Sequence, residues 1–181
     1  DADVTGIEIQ GTFLFTENFS MDYSFTFADP KWSESFVFPC NCDDPDVIQK
    51  GMPLPTSPKR KGFLAFDWNF PGAFGTDNVF LRYDISFQSK TWNNLTSIIN
   101  EDETGIMDSW NLSNLQFGAH LRNDWTVNLV VRNLFDQKAT TVIWNGFVND
   151  VSDWFGTDFN KNKRVYNRPR TFGLQVRKRW N

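Results

Sequence analysis

Residues 19–27 read Phe-Ser-Met-Asp-Tyr-Ser-Phe-Thr-Phe, and this stretch decides the fold. Every odd position is aromatic or Met, and every even position is small and polar or acidic. A period of two is typical of a β-strand whose two faces meet different environments. Six further segments alternate in the same way, so the sequence predicts an all-β protein of about seven strands: residues 7–15, 19–27, 61–70, 79–88, 108–121, 125–132 and 171–180.

The fifth segment contains one irregularity. Trp110 and Leu112 fall on the face opposite Leu115 and Phe117. We expect either a β-bulge in this strand or an upper end whose apolar side chains point inward.

The connections between the predicted strands alternate strictly between short and long. The short ones are residues 17–18, 71–77 and 122–124, and the long ones are residues 28–59, 89–107 and 134–167. Short turns at one end of an antiparallel meander and long loops at the other are typical of transmembrane β-barrels of the bacterial outer membrane. Because the wall of such a barrel alternates lipid-facing and lumen-facing residues, we predict an antiparallel transmembrane β-barrel meander.

Aromatic side chains support this prediction independently. Membrane barrels carry aromatic residues at the level where the wall meets the lipid headgroups. Five aromatic residues lie on the apolar face beside a short turn or near the C-terminus, at one common level: Phe15, Phe19, Phe70, Trp125 and Trp180.

Composition excludes several other classes of protein. The chain has 181 residues, a formal net charge of -4 and 17% aromatic residues. A nucleic-acid-binding domain usually has a basic surface, so no nucleic-acid partner is predicted. No apolar run approaches the roughly 18 residues that a membrane-spanning helix requires.

Seven strands do not close a single-chain bacterial barrel, in which the strand number is even and no lower than about eight. Unpaired backbone groups at two free edges would cost several kcal/mol each in hydrocarbon. We therefore expect that these strands belong to a larger barrel and that further strands precede Asp1.

Three segments resemble the C-terminal part of a TonB-dependent outer-membrane receptor. They are Gly51-Met-Pro-Leu-Pro-Thr-Ser-Pro-Lys59, Val131-Arg-Asn-Leu-Phe-Asp136 and Arg168-Pro-Arg-Thr-Phe-Gly173, in the order and spacing that the family shows. The resemblance implies that residues 1–181 form the last seven strands of a barrel of about 22 strands. It also implies partners outside this segment, namely the plug domain, the earlier strands, outer-membrane lipid and, through the plug, TonB.

The function implied by the resemblance is active uptake of a scarce small molecule across the outer membrane of a Gram-negative cell. The solute would be a siderophore, a corrinoid or a saccharide. Two other hypotheses remain open from the residues alone. One is a small oligomeric porin-like barrel, and the other is a soluble, aromatic-rich β-sandwich that binds a ligand and buries its apolar faces against each other.

Aromatic residues in the long loops are candidate ligand contacts, because aromatic rings supply large, rigid contact areas. Packing within the loops explains them about as well. The candidates are Trp32, Trp92, Trp144, Trp154 and Phe155.

Charged and amide side chains on the polar faces of the strands are candidates for lining the barrel lumen. They could contact the plug, although the general electrostatics of the wall is the simpler explanation. These residues are Arg82, Asp84, Asn128, Arg132, Arg177 and Arg179.

The sequence offers little for catalysis or for a metal. His120 is the only histidine, so a His-based triad or a multi-histidine zinc site is excluded within this chain. We predict no enzymatic activity, no cofactor and no metal site. Cys40 and Cys42 could form a tight disulfide with each other, pair elsewhere or stay reduced.

Overall fold

A computed structural model describes residues 1–37, 47–144 and 163–180. In these ranges thirteen strands form: β1 (Ala2–Thr16), β2 (Phe19–Trp32), β3 (Phe36–Val37), β4 (Val47–Ile48), β5 (Arg60–Pro71), β6 (Asn78–Gln88), β7 (Thr91–Trp92), β8 (Ile106–Met107), β9 (Trp110–Leu121), β10 (Trp125–Arg132), β11 (Thr140–Trp144), β12 (Lys163–Tyr166) and β13 (Thr171–Lys178). One short α-helix, α1 (Leu95–Ile99), and two 3-10 turns, Ala73–Gly75 and Glu103–Gly105, complete the regular structure of these ranges. None of these helices is long and apolar enough to cross a membrane.

Seven long strands form one antiparallel sheet in the order β1-β2-β5-β6-β9-β10-β13, which we call the wall sheet. The wall strands follow each other in chain order, so the sheet is a meander. This confirms the predicted fold class and all seven predicted strands. The remaining six strands form three two-stranded hairpins, β3–β4, β7–β8 and β11–β12, which lie within the long connections.

The strand register separates an apolar face of the wall sheet from a polar one. Across successive strand pairs, Met21 lies opposite Phe66, Phe66 opposite Tyr83, Tyr83 opposite Leu115, and Leu115 opposite Val131. Residues that pair directly across antiparallel strands point to the same face. The apolar face therefore continues from strand to strand, and the intervening residues form the polar face.

The apolar face is open to the surroundings. The exposed fraction is 66% for Ile7, 53% for Phe13, 51% for Phe117 and 69% for Leu174. In the described ranges no second sheet packs against these side chains. A soluble β-sandwich would bury them, so the arrangement contradicts the sandwich hypothesis and is typical of a wall that faces lipid.

The irregularity predicted in the fifth strand is an end of β9 whose apolar side chains point to the polar face, and not a β-bulge. The register between β6 and β9 runs without a shift from the pair Asn78 and His120 to the pair Gln88 and Trp110. Trp110 therefore lies on the polar face with Gln88. The register shift among the wall strands occurs instead in β1, between residues 14 and 16.

The connections are sorted as predicted, with short turns at one end of the wall sheet and long segments at the other. At the turn end, Asn123 and Asp124 both have positive φ, 65° and 61°. Asn and Asp tolerate this left-handed conformation better than most residues, which suits them to a tight turn between β9 and β10.

Aromatic residues gather at the turn end of the apolar face, as predicted. Phe15 stacks on Phe19 with ring centroids 4.5 Å apart, and Phe19 stacks on Trp68 at 4.6 Å. Toward the opposite edge of the wall sheet, on the same apolar face, the Lys178 ammonium lies over the rings of Trp125 and Trp180 at 5.4 and 5.5 Å. Aromatic rings and a lysine at one level are typical of a wall that meets headgroups there.

Candidate functional site

A charged cluster occupies the middle of the polar face and joins four wall strands. The Arg82 guanidinium on β6 donates to the Asp67 carboxylate on β5, and its Nη1 lies 4.0 Å from Asp22 Oδ2 on β2. Asp22 Oδ1 in turn accepts a hydrogen bond from the Thr12 hydroxyl on β1 at 2.7 Å. We call these four residues the Arg82 cluster.

A second polar link continues from this cluster toward β9 and β10. Asn114 Nδ2 donates to Asp84 Oδ2 at 2.7 Å, and Asn114 Oδ1 accepts from the Asn133 backbone N–H at 3.0 Å. Between Asp22 and Asp84 lies Ala65, which is fully buried and pairs with both. The two groups of polar side chains thus form one row across the sheet.

Charge on the polar face is unevenly distributed. At the level of this row, three carboxylates, Asp22, Asp67 and Asp84, face the single guanidinium of Arg82. On β10 and β13 the charged side chains of the polar face are the cations Arg132 and Arg177. A solute on this side of the sheet would meet an acidic region over β2, β5 and β6 and a basic region over β10 and β13.

Five of the six residues predicted to line the lumen lie on the polar face of the wall sheet. The register places Asp84 opposite Asn114, Asn128 opposite Gln175, and Arg177 opposite Thr126. The other members of that set are Arg82, in the cluster above, Arg132, opposite Thr171, and Arg179, which lies just after β13 and donates its backbone N–H to the Asp124 carbonyl. Asn128 is 8% exposed, and its Oδ1 has no hydrogen-bond partner in the described ranges.

Removing the guanidinium of Arg82 is expected to weaken the wall modestly. Arg82→Met leaves Asp22 and Asp67 facing each other without a cation, but the three side chains are 28–42% exposed, so water screens the effect. We expect a loss of about 1 kcal/mol in the free energy of unfolding, measured by urea titration of the full-length chain in lipid vesicles. Asp67→Asn in the Arg82→Met background should recover part of this loss, and no recovery would contradict the pairing.

Three of the predicted ligand-contact residues, Trp32, Trp92 and Trp144, lie in the described ranges, and no ring contact joins any two of them. Trp32 packs edge-on against Phe36 with ring centroids 5.0 Å apart, and its buried Nε1 has no hydrogen-bond partner in the described ranges. Trp92 lines a cleft beside β2, and Trp144 is 62% exposed. Trp154 and Phe155, like Cys40 and Cys42, lie outside the described residues.

Two long connections are joined by contacts that the sequence analysis missed. The Asn93 side chain donates to the Ile143 carbonyl at 2.6 Å and accepts from the Ile143 N–H at 2.9 Å, so it pairs with β11 as a strand residue would. Arg164 on β12 donates to the backbone carbonyls of Thr104 and Ile106 at 3.1 and 3.4 Å. Because these are contacts between side chains and the backbone of distant segments, no local pattern in the sequence predicts them.

The described residues contain no group of three or more His, Cys, Asp or Glu side chains arranged to hold a metal ion. The polar face carries a row of ion pairs and hydrogen bonds that can contact a solute or another protein surface. The carboxylates of the row already accept hydrogen bonds from Arg82, Thr12 and Asn114.

A family model described as TonB dependent receptor-like, beta-barrel, matches residues 1–134. The chain belongs to this family. The fold of the chain is similar to those of three solved receptors, and each match covers 97% of the present chain. They are the siderophore receptor PiuA of Acinetobacter baumannii (TM-score 0.68, 12% identity, 21% of that chain covered), the ferric yersiniabactin uptake receptor FyuA of Yersinia pestis (0.66, 14%, 23%) and the ferric preacinetobactin receptor BauA of Acinetobacter baumannii (0.63, 18%, 22%).

The present chain thus spans between a fifth and a quarter of the length of these receptors. A comparison with curated protein sequences gave no match.

Proposed function

We propose that this chain is the C-terminal part of the β-barrel domain of a TonB-dependent receptor in the outer membrane of a Gram-negative bacterium. The observation that carries the proposal is the wall sheet itself. It combines an exposed apolar face, a hydrogen-bonded polar face and a strict sorting of short and long connections, in a chain of the TonB-dependent receptor barrel family. Lipid contacts the apolar face, and the polar face lines the lumen.

In this proposal the free backbone groups at the outer edges of β1 and β13 pair with earlier strands of the same barrel. Edge strands in hydrocarbon must be paired, because no water is present to satisfy their N–H and C=O groups. The lumen then holds a plug domain, and the Arg82 cluster is one of the surfaces that the plug contacts. Two of the long connections, residues 89–107 and 134–167, are joined by Asn93 and Arg164 and form part of the outer ligand-binding surface.

We propose a ferric chelate as the transported solute. This choice is supported by the three similar solved receptors, whose names refer to a siderophore or to a named ferric chelate. Capture by loops and lumen, followed by plug movement driven through TonB, moves the chelate inward without any chemical change to it. No catalytic residue is part of this mechanism.

Uptake of radiolabelled iron tests this proposal. The full-length chain that contains these residues is expressed in a Gram-negative strain lacking its own chelate receptors, with a matched strain that also lacks TonB. We expect at least one ferric chelate of a panel to enter about tenfold or more above background, and only in the strain with TonB. Equal uptake without TonB would favour a porin-like barrel, and uptake of a corrinoid or saccharide alone would contradict the ferric chelate.

A further inference from the structure

Residues 92 and 93 join all three long connections of the wall sheet. The Trp92 carbonyl accepts a hydrogen bond from the Thr56 N–H at 2.7 Å, and the Asn93 N–H donates to the Gly105 carbonyl at 2.9 Å. The Asn93 side chain binds the backbone of Ile143. Thr56 lies in the first long connection and Ile143 in the third, while Trp92 and Asn93 belong to the second. These two residues are therefore a junction between the three connections.

The Asn93 side chain completes the free edge of β11. In the described ranges β11 pairs with β12 alone, so one edge of β11 has no strand partner. The Ile143 carbonyl accepts from Asn93 Nδ2 at 2.6 Å, and the Ile143 N–H donates to Asn93 Oδ1 at 2.9 Å. One amide group thus supplies both the donor and the acceptor that a neighbouring strand would supply. An Asp carboxylate has the same shape but lacks the donor.

A second contact holds the other strand of the same hairpin. Arg164 lies on β12 directly opposite Ile143. Its guanidinium donates to the carbonyls of Thr104 and Ile106 at 3.1 and 3.4 Å. The β11–β12 hairpin is therefore attached to the second long connection through each of its two strands. Two separate attachments restrict rotation of the hairpin about either one.

Burial at the junction shows that the second and third connections are packed against each other. The side chains of Ile98 and Met107, from the second connection, and of Ile143, from the third, are all buried. The strand β11 also lies beside β8. Apolar side chains from both connections exclude water here, and a hydrogen bond is electrostatically stronger in such surroundings than in water.

Two tryptophans flank the contact between Asn93 and Ile143. Trp92 comes immediately before Asn93, and Trp144 comes immediately after Ile143. Because side chains alternate along a strand, Trp144 points away from the side of the buried Ile143, and it is largely exposed. Trp92 is partly exposed. The contact therefore fixes the backbone positions of two tryptophans that come from different connections.

We propose that Asn93 is a positioning residue for solute capture, which holds the third long connection against the second so that Trp92 and Trp144 form one preformed contact surface. The inference rests on the proposed function, because it assigns solute binding to the loop end of the barrel. A surface that is ordered before the solute arrives loses less conformational entropy on binding, so it binds more tightly. Asn93 acts through the two tryptophans, since its own amide group is occupied by Ile143.

A matched pair of substitutions in the full-length chain tests the proposal. The test variant is Asn93→Asp, which keeps the shape of the side chain but places a carboxylate oxygen against the Ile143 carbonyl. The control is Asn100→Asp, which makes the same change of charge in the same connection. Asn100 is exposed, and its side chain makes no hydrogen bond in the described ranges. Unchanged heat-dependent electrophoretic mobility of each variant shows that the barrel is folded.

The first measurement needs no solute. Spin labels at Thr96→Cys on α1 and Lys163→Cys on β12 report the distance between the second and third connections by double electron–electron resonance. The parent chain for labelling carries Cys40→Ser and Cys42→Ser. We expect a narrow distance distribution in the parent and in the control, and a distribution at least about twofold broader in the test variant. Equal distributions in all three chains would overturn the proposal.

The second measurement is the uptake of radiolabelled iron, supplied as the chelate of the panel that enters fastest. We expect the test variant to raise KM about tenfold and to keep Vmax within about twofold, because the preformed surface acts in capture. Trp144→Ala should also raise KM, and combining it with Asn93→Asp should add little, because both changes remove the same surface. Additive increases in KM, a loss confined to Vmax, or an equal effect of the control would overturn the proposal.

The two measurements separate failure of this proposal from failure of the proposed function. If the distance distribution broadens but no ferric chelate enters through the parent chain, Asn93 still joins the two connections. The transport proposal is then rejected, and the solute surface with it. If a chelate enters and the test variant leaves KM unchanged, transport stands and the positioning role of Asn93 is rejected.

Discussion

Tyr23→Arg is expected to lower the free energy of unfolding from a lipid bilayer by about 2–4 kcal/mol, while Ser24→Arg at the next position changes it by less than about 1 kcal/mol. The two residues are neighbours on β2 but point to opposite faces. Tyr23 pairs with Gly11 and Leu64 on the apolar face, near the middle of the wall, where a guanidinium would have to enter hydrocarbon. Ser24 lies on the polar face, where a guanidinium stays in contact with water.

The comparison is made on the full-length chain folded into phospholipid vesicles and unfolded with urea. The same charge is introduced into the same strand one residue apart, so differences in expression, net charge and strand propensity cancel. A loss for Ser24→Arg as large as that for Tyr23→Arg would contradict the assignment of faces. A loss of solubility in plain buffer, rather than of membrane insertion, would favour a soluble sheet protein.

The alternation of apolar and polar side chains was sufficient to predict the existence of the wall strands. It did not predict their ends where a strand continues beyond the alternating residues. β10 occupies the predicted residues, Trp125–Arg132. β2 runs to Trp32, five residues beyond the predicted end, and its last positions reverse the pattern: Asp29 and Lys31 lie on the face of Phe27, and the uncharged residues 28, 30 and 32 lie on the other. Backbone pairing with β1 continues there, since hydrogen bonding along a ladder does not depend on which side chains face lipid.

The short hairpins of the long connections could not be predicted. A two-residue strand such as β7 or β8 is too short to show a period of two, and the contacts that hold it come from elsewhere in the chain. Asn93, which binds β11 across 50 positions of sequence, is an example.

The sequence placed Arg82 on the polar face but did not identify its partners. Asp84 lies on the same face of the same strand, yet Arg82 pairs with Asp67 and approaches Asp22. Partners across strands depend on register, and a slip of one residue would move every one of them to the other face. The register follows from the turns and the packing of the apolar face, which only the folded sheet supplies.

The structure gives a physical reason for two of the segments that carried the family resemblance. Residues 131–136 and 168–173 are far apart in sequence but lie against each other where β10 ends and β13 begins. Asp136 Oδ1 accepts from the Arg170 N–H at 2.8 Å, and the Arg170 guanidinium donates to the Leu134 carbonyl at 3.4 Å. Asn133 connects to the same segment through the Arg168 carbonyl. The two segments together close the last pair of wall strands.

Asn133→Ala is expected to lower the free energy of unfolding by about 3 kcal/mol, because Asn133 combines two demands that alanine does not meet. Its backbone has positive φ, 52°, and its side chain is almost fully buried. The side-chain amide donates to the carbonyls of Gln137 at 3.0 Å and Arg168 at 3.1 Å, and its oxygen accepts from the Gln137 N–H at 2.9 Å. Alanine would leave these buried backbone groups without partners and would strain the left-handed backbone.

Two controls separate the hydrogen bonds from the backbone strain, measured by the same urea titration in vesicles. Asn133→Gly removes the side chain but relieves the strain of the positive φ, so a loss of about 2 kcal/mol should remain if the hydrogen bonds dominate. Asn123→Ala introduces alanine at φ 65° in an exposed turn without a side-chain hydrogen bond in the described ranges, so it should cost only about 1 kcal/mol. Asn133→Ala could instead lower the free energy of unfolding by no more than Asn123→Ala does. In that case the contact between residues 131–136 and 168–173 does not stabilise the wall sheet. The hydrogen bonds of Asn133 would then only accompany a turn that the backbone forms by itself.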